Sequence, residues 1–165
     1  RSLESMNWRE NKRILAKFIE DNHWSLKLSK NPEQTLADSG TETIHLYVLP
    51  NKRTTTCYLL HEIGHMLIYN DPTYYSTKFS ALQEARDKSY YGSRRYAIGR
   101  LQEEIEAWEM GRGVMHELEI DIAPKFFERT KNDALKTYLE WAYNIFTTKP
   151  NNKKKTELPK EPTPE

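Results

Sequence analysis

The chain has 165 residues, enough for one compact domain with a sizeable core. Charged residues make up 30 % and hydrophobic ones 37 %, and a net charge of +1 excludes a general electrostatic case for nucleic acid or an anionic membrane as partner. No apolar stretch is long enough to span a bilayer, and a single cysteine, Cys57, excludes a disulfide framework, so a cytoplasmic protein with no membrane partner is expected.

From about Leu3 to Asn22 the pattern is that of an amphipathic helix, with Ile14, Leu15, Phe18 and Ile19 on its buried side. His23–Ser29 alternates apolar and polar residues (Trp24, Leu26, Leu28), which predicts a short strand. Asn31–Thr41, with Pro32, Asp38, Ser39 and Gly40, reads as a loop or turn. Thr43–Leu49 is the clearest strand, since Ile44, Leu46 and Val48 share one face, and Pro50 and Asn51 end it. A helix follows over Thr55–Tyr69, stopped by Asn70, Asp71 and Pro72. Tyr74–Arg94, rich in tyrosine, serine and charge, is expected to be a mobile insertion with one short helix near Phe79–Lys88. A long helix over Arg95–Leu118 rests on Ile98, Leu101, Ile105, Trp108 and Met115. A last helix over Asn132–Phe146 rests on Ala134, Leu135, Tyr138, Ala142 and Ile145. From Thr148 the chain is Lys-, Pro- and Glu-rich without apolar period, and buries too little to offset its ordering entropy. The expectation is one α+β domain over residues 1–147, mostly helical in its second half, and a disordered tail over 148–165.

His61-Glu62-Ile63-Gly64-His65 is an H-E-x-x-H pentapeptide within the predicted helix. Residues four apart lie one above the other on a helix, so both imidazoles can reach one zinc ion at about 2.0–2.1 Å. Glu62 sits about 100° further round, within reach of a zinc-bound water whose proton it would take and later pass to the leaving amine. By chance such a pentapeptide arises in on the order of one chain in a hundred. The bland alternative is two ordinary histidines on a helix. Leu59, Leu60, Ile63, Met66 and Leu67 imply burial, however, and two stacked histidines with a carboxylate are unfavourable there without a partner.

A catalytic zinc needs a third protein ligand and an open position. The H-E-x-x-H-x-x-G-x-x-H arrangement fails, because Ile68 stands where a glycine would break the helix and Asp71 where a third histidine would sit. The better source is the acidic cluster Glu103-Glu104-Ile105-Glu106 on the long helix. A glutamate can reach across only if its helix packs closely, and a small residue one turn later permits that approach. Glu104 has Ala107 there, whereas Glu103 has Glu106 and Glu106 has Glu109. Glu104 is therefore the first choice, followed by Glu106, Glu103 and, more distantly, Asp71.

His61–His65 with Glu104-Ile105-Glu106-Ala107 resembles the gluzincin metallopeptidases, whose third zinc ligand is a glutamate on a later helix. Ile44–Leu49, Arg53-Thr54-Thr55 and the pentapeptide resemble the strand, loop and active-site helix of the small intracellular ImmA/IrrE-like group. Glu104, Ala107 and Met110 resemble that group's E-x-x-A-x-x-F pattern. The resemblance covers about residues 43–112 and is sharp only in the pentapeptide. Trp108 stands in place of the usual Asn or Asp, the spacer from His65 to Glu104 is longer, and no L-L-M-P-like ending follows. The resemblance implies a minimal zincin-like α+β fold, with a small sheet, an active-site helix and a later glutamate-bearing helix. It further implies a single Zn2+ on His61, His65 and Glu104, with Glu62 catalytic in hydrolysing peptide bonds of an intracellular protein. A catalytically weak zinc-bound interaction module on the same scaffold is the alternative.

In that picture Thr43–Leu49 is the sheet edge beside the cleft, where a peptide substrate could pair. Tyr90, Tyr91, Tyr96 and His116 are candidate donors to the transition-state oxyanion. His45 is read as a packed or surface residue, and Cys57, one turn before His61, as a small buried apolar one. His23 has no assigned role, and the Lys153–Lys155 run is solvated tail with no strong nucleic-acid signal.

Overall fold

The computed structural model describes residues 3–31, 35–89 and 91–147. The expected tail, with Lys153–Lys155, lies outside the described residues, as do Pro32 and Tyr90. The fold is α+β: helix α1 (Leu3–Asp21), strands β1 (Ser25–Ser29), β2 (Leu36–Asp38) and β3 (Thr43–Tyr47), then helices α2 (Lys52–Asn70), α3 (Pro72–Lys78), α4 (Ser80–Asp87), α5 (Arg94–Glu117) and α6 (Pro124–Thr147).

α1 ends where His23 turns into the left-handed region (φ 66°), its N–H closing on the Glu20 carbonyl. That turn starts β1 two residues later than the alternation of His23–Ser29 suggests. The predicted loop contains a third strand, β2, too short to show a period and flanked by turn residues. The sheet order is β1-β3-β2, with β1 parallel to β3 and β2 antiparallel to it. This corrects the expectation that Thr43–Leu49 is the sheet edge. β3 is the central strand, with β1 on one side and β2 on the other, and β2 is an edge instead.

α2 starts at Lys52 because the Asn51 side chain accepts from the N–H groups of Arg53 (3.0 Å) and Thr54 (3.1 Å). Nearly every residue from Thr55 to Ile68 is buried, on all sides of the helix. A helix of that kind has no solvent face, and α2 is the axis of the molecule, packed by α1, the sheet, α5 and α6. One core cluster, including Leu15, Ile44, Leu60, Trp108 and Phe127, joins it to α1, the sheet, α5 and α6. The other, including Ile68, Phe79, Leu82 and Trp141, closes its C-terminal end.

The helix expected near Phe79–Lys88 is present as α4, and a further short helix not expected from the sequence, α3, precedes it. Phe79, Leu82 and Ala85 recur at three-residue spacing and are buried, with Leu82 against Gly99 of α5. The stripe expected on α5 also needs correction. Ile98 and Ile105 are 47 % and 42 % exposed, while the buried face carries Ala97, Glu103, Glu104, Ala107, Trp108 and Gly111. Trp108 and Met115 of the expected stripe are buried and Leu101 half-buried, so the reading fails only at Ile98 and Ile105, whose inward neighbours include the carboxylates of Glu103 and Glu104. α6 begins eight residues before the predicted Asn132, with Pro124 in its first turn, a position where the missing N–H is harmless.

Candidate metal centre

His61 and His65 stand one turn apart on α2, with ring centroids 4.6 Å apart, and both are buried. The His61 ring stacks on Trp108 of α5 and the His65 ring on Tyr69, one turn further along α2. Glu62 is buried beside them.

α5 meets α2 along two small residues. A methyl group on Gly111 would lie 2.3 Å from the Leu60 carbonyl oxygen, and one on Gly64 would collide with the backbone of Ala107. At this spacing the Glu104 side chain reaches both imidazoles. Its Oε2 lies 3.1 Å from Nε2 of His61 and its Oε1 3.3 Å from Nε2 of His65. One ligand atom from each of the three residues lies within 4.8 Å of the others.

These spacings fit a zinc ion. Ligands held tetrahedrally at about 2.0–2.1 Å are roughly 3.3 Å apart, and two imidazoles with one carboxylate form a donor set found in catalytic zinc sites. The charges agree. Against three buried carboxylates, Glu62, Glu103 and Glu104, the ion pairs among the described residues set two guanidiniums, Arg86 on Glu103 and Arg100 on Glu103 and Glu104. That excess raises His65 to about 10, since burial disfavours its charged form but Glu104 and then Glu103 outweigh burial. The same excess attracts a divalent cation. Burial opposes ionisation of Glu104 too, yet His65 and His61 hold it well below the usual carboxylate range. The Nδ1 atoms of His61 and His65 are buried without a hydrogen-bond partner among the described residues.

Glu103, the neighbour of Glu104, turns to the other side of His65. Its Oε1 is 3.5 Å from Nδ1 of His65, within ion-pair range, and accepts the Tyr69 hydroxyl at 2.7 Å. Its Oε2 accepts from Arg100 at 3.0 Å and from Arg86 at 3.3 Å. Burial raises its carboxyl, but His65 and the two arginines bring it down to about 2. Glu106 is turned outward, against Tyr74 and Lys78. Asp71 caps α3, accepting from the Tyr74 N–H, and takes no part in the group. Glu62 is raised, chiefly by burial; His61, His65 and the Ala37 N–H of β2 pull the other way.

Of the remaining sequence candidates, Cys57 is buried toward Thr130 of α6, and burial pushes its thiol up to about 12. It stays a protonated, apolar-like side chain outside the group. Tyr91 is exposed, and Tyr96 packs edge-on against Tyr91 and Trp141. His116 is exposed at the end of α5, and His45 is half-buried on β3, opposite Lys27 and Leu36. Sequence reasoning missed Tyr69, Arg86, Arg100 and Ala37. Two of these carry a readable signal: Tyr69 is four residues after His65, and Arg100 four before Glu104, so each shares its partner's helix face. An open hollow lined by Ser39, Tyr69, Pro72, Tyr75 and Arg86 adjoins the Glu103 side.

Compared with protein-family models, with curated proteins and with solved structures, the chain matches none. No described helix is long and apolar enough to cross a membrane.

Proposed function

We propose that this chain is a zinc-dependent hydrolase of peptide bonds, built on a minimal zincin-like domain of the gluzincin kind. The observation that carries the reading is the convergence of His61 Nε2, His65 Nε2 and the Glu104 carboxylate in one buried group, with Glu62 next to it. His61, His65 and Glu104 hold the ion. Bound there, zinc supplies Lewis acidity to a carbonyl and lowers the pKa of water toward 7.

Glu62 is the proton carrier: its carboxylate takes the proton of the attacking water and returns it to the leaving amine. The backbone of Ala37 on the edge strand β2 favours the ionised form of that carboxylate. A peptide entering beside β2 finds an edge strand along which it can pair, while β3 is the central strand. An intracellular protein or peptide is the proposed substrate.

One observation favours a second reading, a zinc-bound interaction module of low turnover. His61, Glu62, His65 and Glu104 are all nearly inaccessible, with Glu62 and Glu104 at 2 % exposure. Metal analysis combined with digestion of a denatured protein separates the two. A hydrolase binds zinc and cleaves, and Glu62→Gln binds zinc without cleaving; if both proteins hold zinc and are equally inert, the module reading stands. Absence of zinc from freshly purified protein that also fails to take up added zinc removes both.

A further inference from the structure

A carboxylate offers a metal two oxygens, and how many it uses decides whether a coordination position stays open. The structure addresses this with one side chain. Arg100 lies one turn before Glu103 and Glu104 on α5, and its guanidinium spans both. Nη2 donates to Oε1 of Glu104 at 2.8 Å, and Nη1 to Oε2 of Glu103 at 3.0 Å. The side chain is 11 % exposed, and its guanidinium carbon lies 5.9 Å from the centre of the Tyr138 ring of α6.

We propose that Arg100 is a positioning residue that keeps Glu104 a one-oxygen ligand and holds Glu103 beside His65. The proposal rests on the metallohydrolase reading above and concerns how the site is kept ready. Both oxygens face an imidazole, Oε2 at 3.1 Å from His61 Nε2 and Oε1 at 3.3 Å from His65 Nε2, but Oε1 already accepts from Arg100, which leaves Oε2 as the oxygen free to meet a cation. A carboxylate closing with both oxygens would fill the position that a catalytic site must leave open. The second arm acts on the histidine. Glu103, fixed by Arg100, Arg86 and Tyr69, sits 3.5 Å from His65 Nδ1, on the side of the ring away from Nε2, and so holds a carboxylate behind the imidazole. A planar fork with parallel donors serves two adjacent carboxylates at once, which a single ammonium does less well.

The test uses cobalt(II), which substitutes for zinc and reports coordination number through its visible absorption, stronger for four ligands than for five. The purified chain, Arg100→Met and Arg100→Lys are each titrated with cobalt, with circular dichroism to verify folding. Arg100→Met is expected to bind cobalt about 10–100-fold more weakly, the usual cost of losing a partner of a metal ligand, and with a weaker visible band. Arg100→Lys keeps the charge and most of the stem over Tyr138 and is expected to fall between the two. It carries the test alone if the methionine variant does not fold. A folded variant with unchanged affinity and an unchanged band overturns the role of Arg100 while leaving the metal site standing. An unvaried protein that binds no cobalt or zinc overturns the functional reading itself, and this inference with it.

Discussion

A methyl group placed on Gly64 would lie 1.9 Å from the carbonyl oxygen of Ala107, so α2 and α5 meet there backbone to backbone. Gly64 is inside the pentapeptide, between the two histidines, and Ala107 is one turn beyond Glu104. The contact between them sets how far the carboxylate stands from the imidazoles.

Gly64→Ala should therefore damage the site and the fold together. In an exposed helix the change would add about 1 kcal/mol of helix propensity. Here the obstacle is backbone, which cannot rotate away, and overpacking costs typically about 1–3 kcal/mol. The expected outcome is a melting temperature several degrees lower and a loss of bound zinc, measured by thermal denaturation and metal analysis. An equal or higher melting temperature with zinc retained would contradict the close approach.

The glutamates on α5 differ in what they face, and alanine variants should sort them. Glu104→Ala should abolish zinc binding, because no other described carboxylate touches Nε2 of both histidines. Glu106→Ala removes only contacts with Tyr74 and Lys78 and should leave zinc content unchanged. His61→Ala and His65→Ala should behave like Glu104→Ala. Zinc content after dialysis is the measurement, and zinc loss confined to Glu106→Ala would reverse the assignment.

Glu62→Gln keeps the size of the side chain and removes its ability to take a proton. Zinc content should match the unvaried chain, while the rate on a cleavable protein falls by about 100- to 10,000-fold, the range of a positioned acid–base group. A variant that cleaves at the original rate would remove Glu62 from the chemistry.

Glu103 gives a signature in acid. Its carboxyl sits at about 2 in the folded protein against an ordinary 4.5, so folding favours its ionised form. The stability it contributes is complete above about pH 4.5 and is lost as pH falls through the folded value near 2. A difference of 2.5 in pKa corresponds to roughly 3 kcal/mol, with no discount for screening because the residue is fully buried. Urea midpoints measured from pH 7 to pH 2 should fall in this window for metal-free protein, and less steeply for Glu103→Gln. Parallel curves would show that Glu103 is not the group responsible.

What the sequence made legible was local. Thr43–Tyr47, with its apolar alternation, and α2, with its histidines four apart, state their conformation in the residues themselves. The small residue at Ala107 pointed to Glu104 by the same kind of reasoning, and the structure brings that carboxylate between the two rings. The failures have one cause. β2 is three residues paired with β3, too short for a period, and the inward side of α5 sets the carboxylates of Glu103 and Glu104 among core residues such as Ala107 and Trp108. Periodicity reads burial of apolar residues, and it misleads where buried positions carry carboxylates and arginines. Arg86 arrives from α4 to meet Glu103, seventeen residues away in sequence, and no spacing rule would have found it.

Both histidines and the base belong to the innermost helix, which has protein on every side from Thr55 to Ile68. Such a segment has no cheap local opening, since exposing it strips both core clusters at once. Its amides should be among the slowest in the molecule to exchange with deuterium. An ion seated there would exchange at a pace set by how often the helices around it part, so its release is governed by the fold as much as by its ligands.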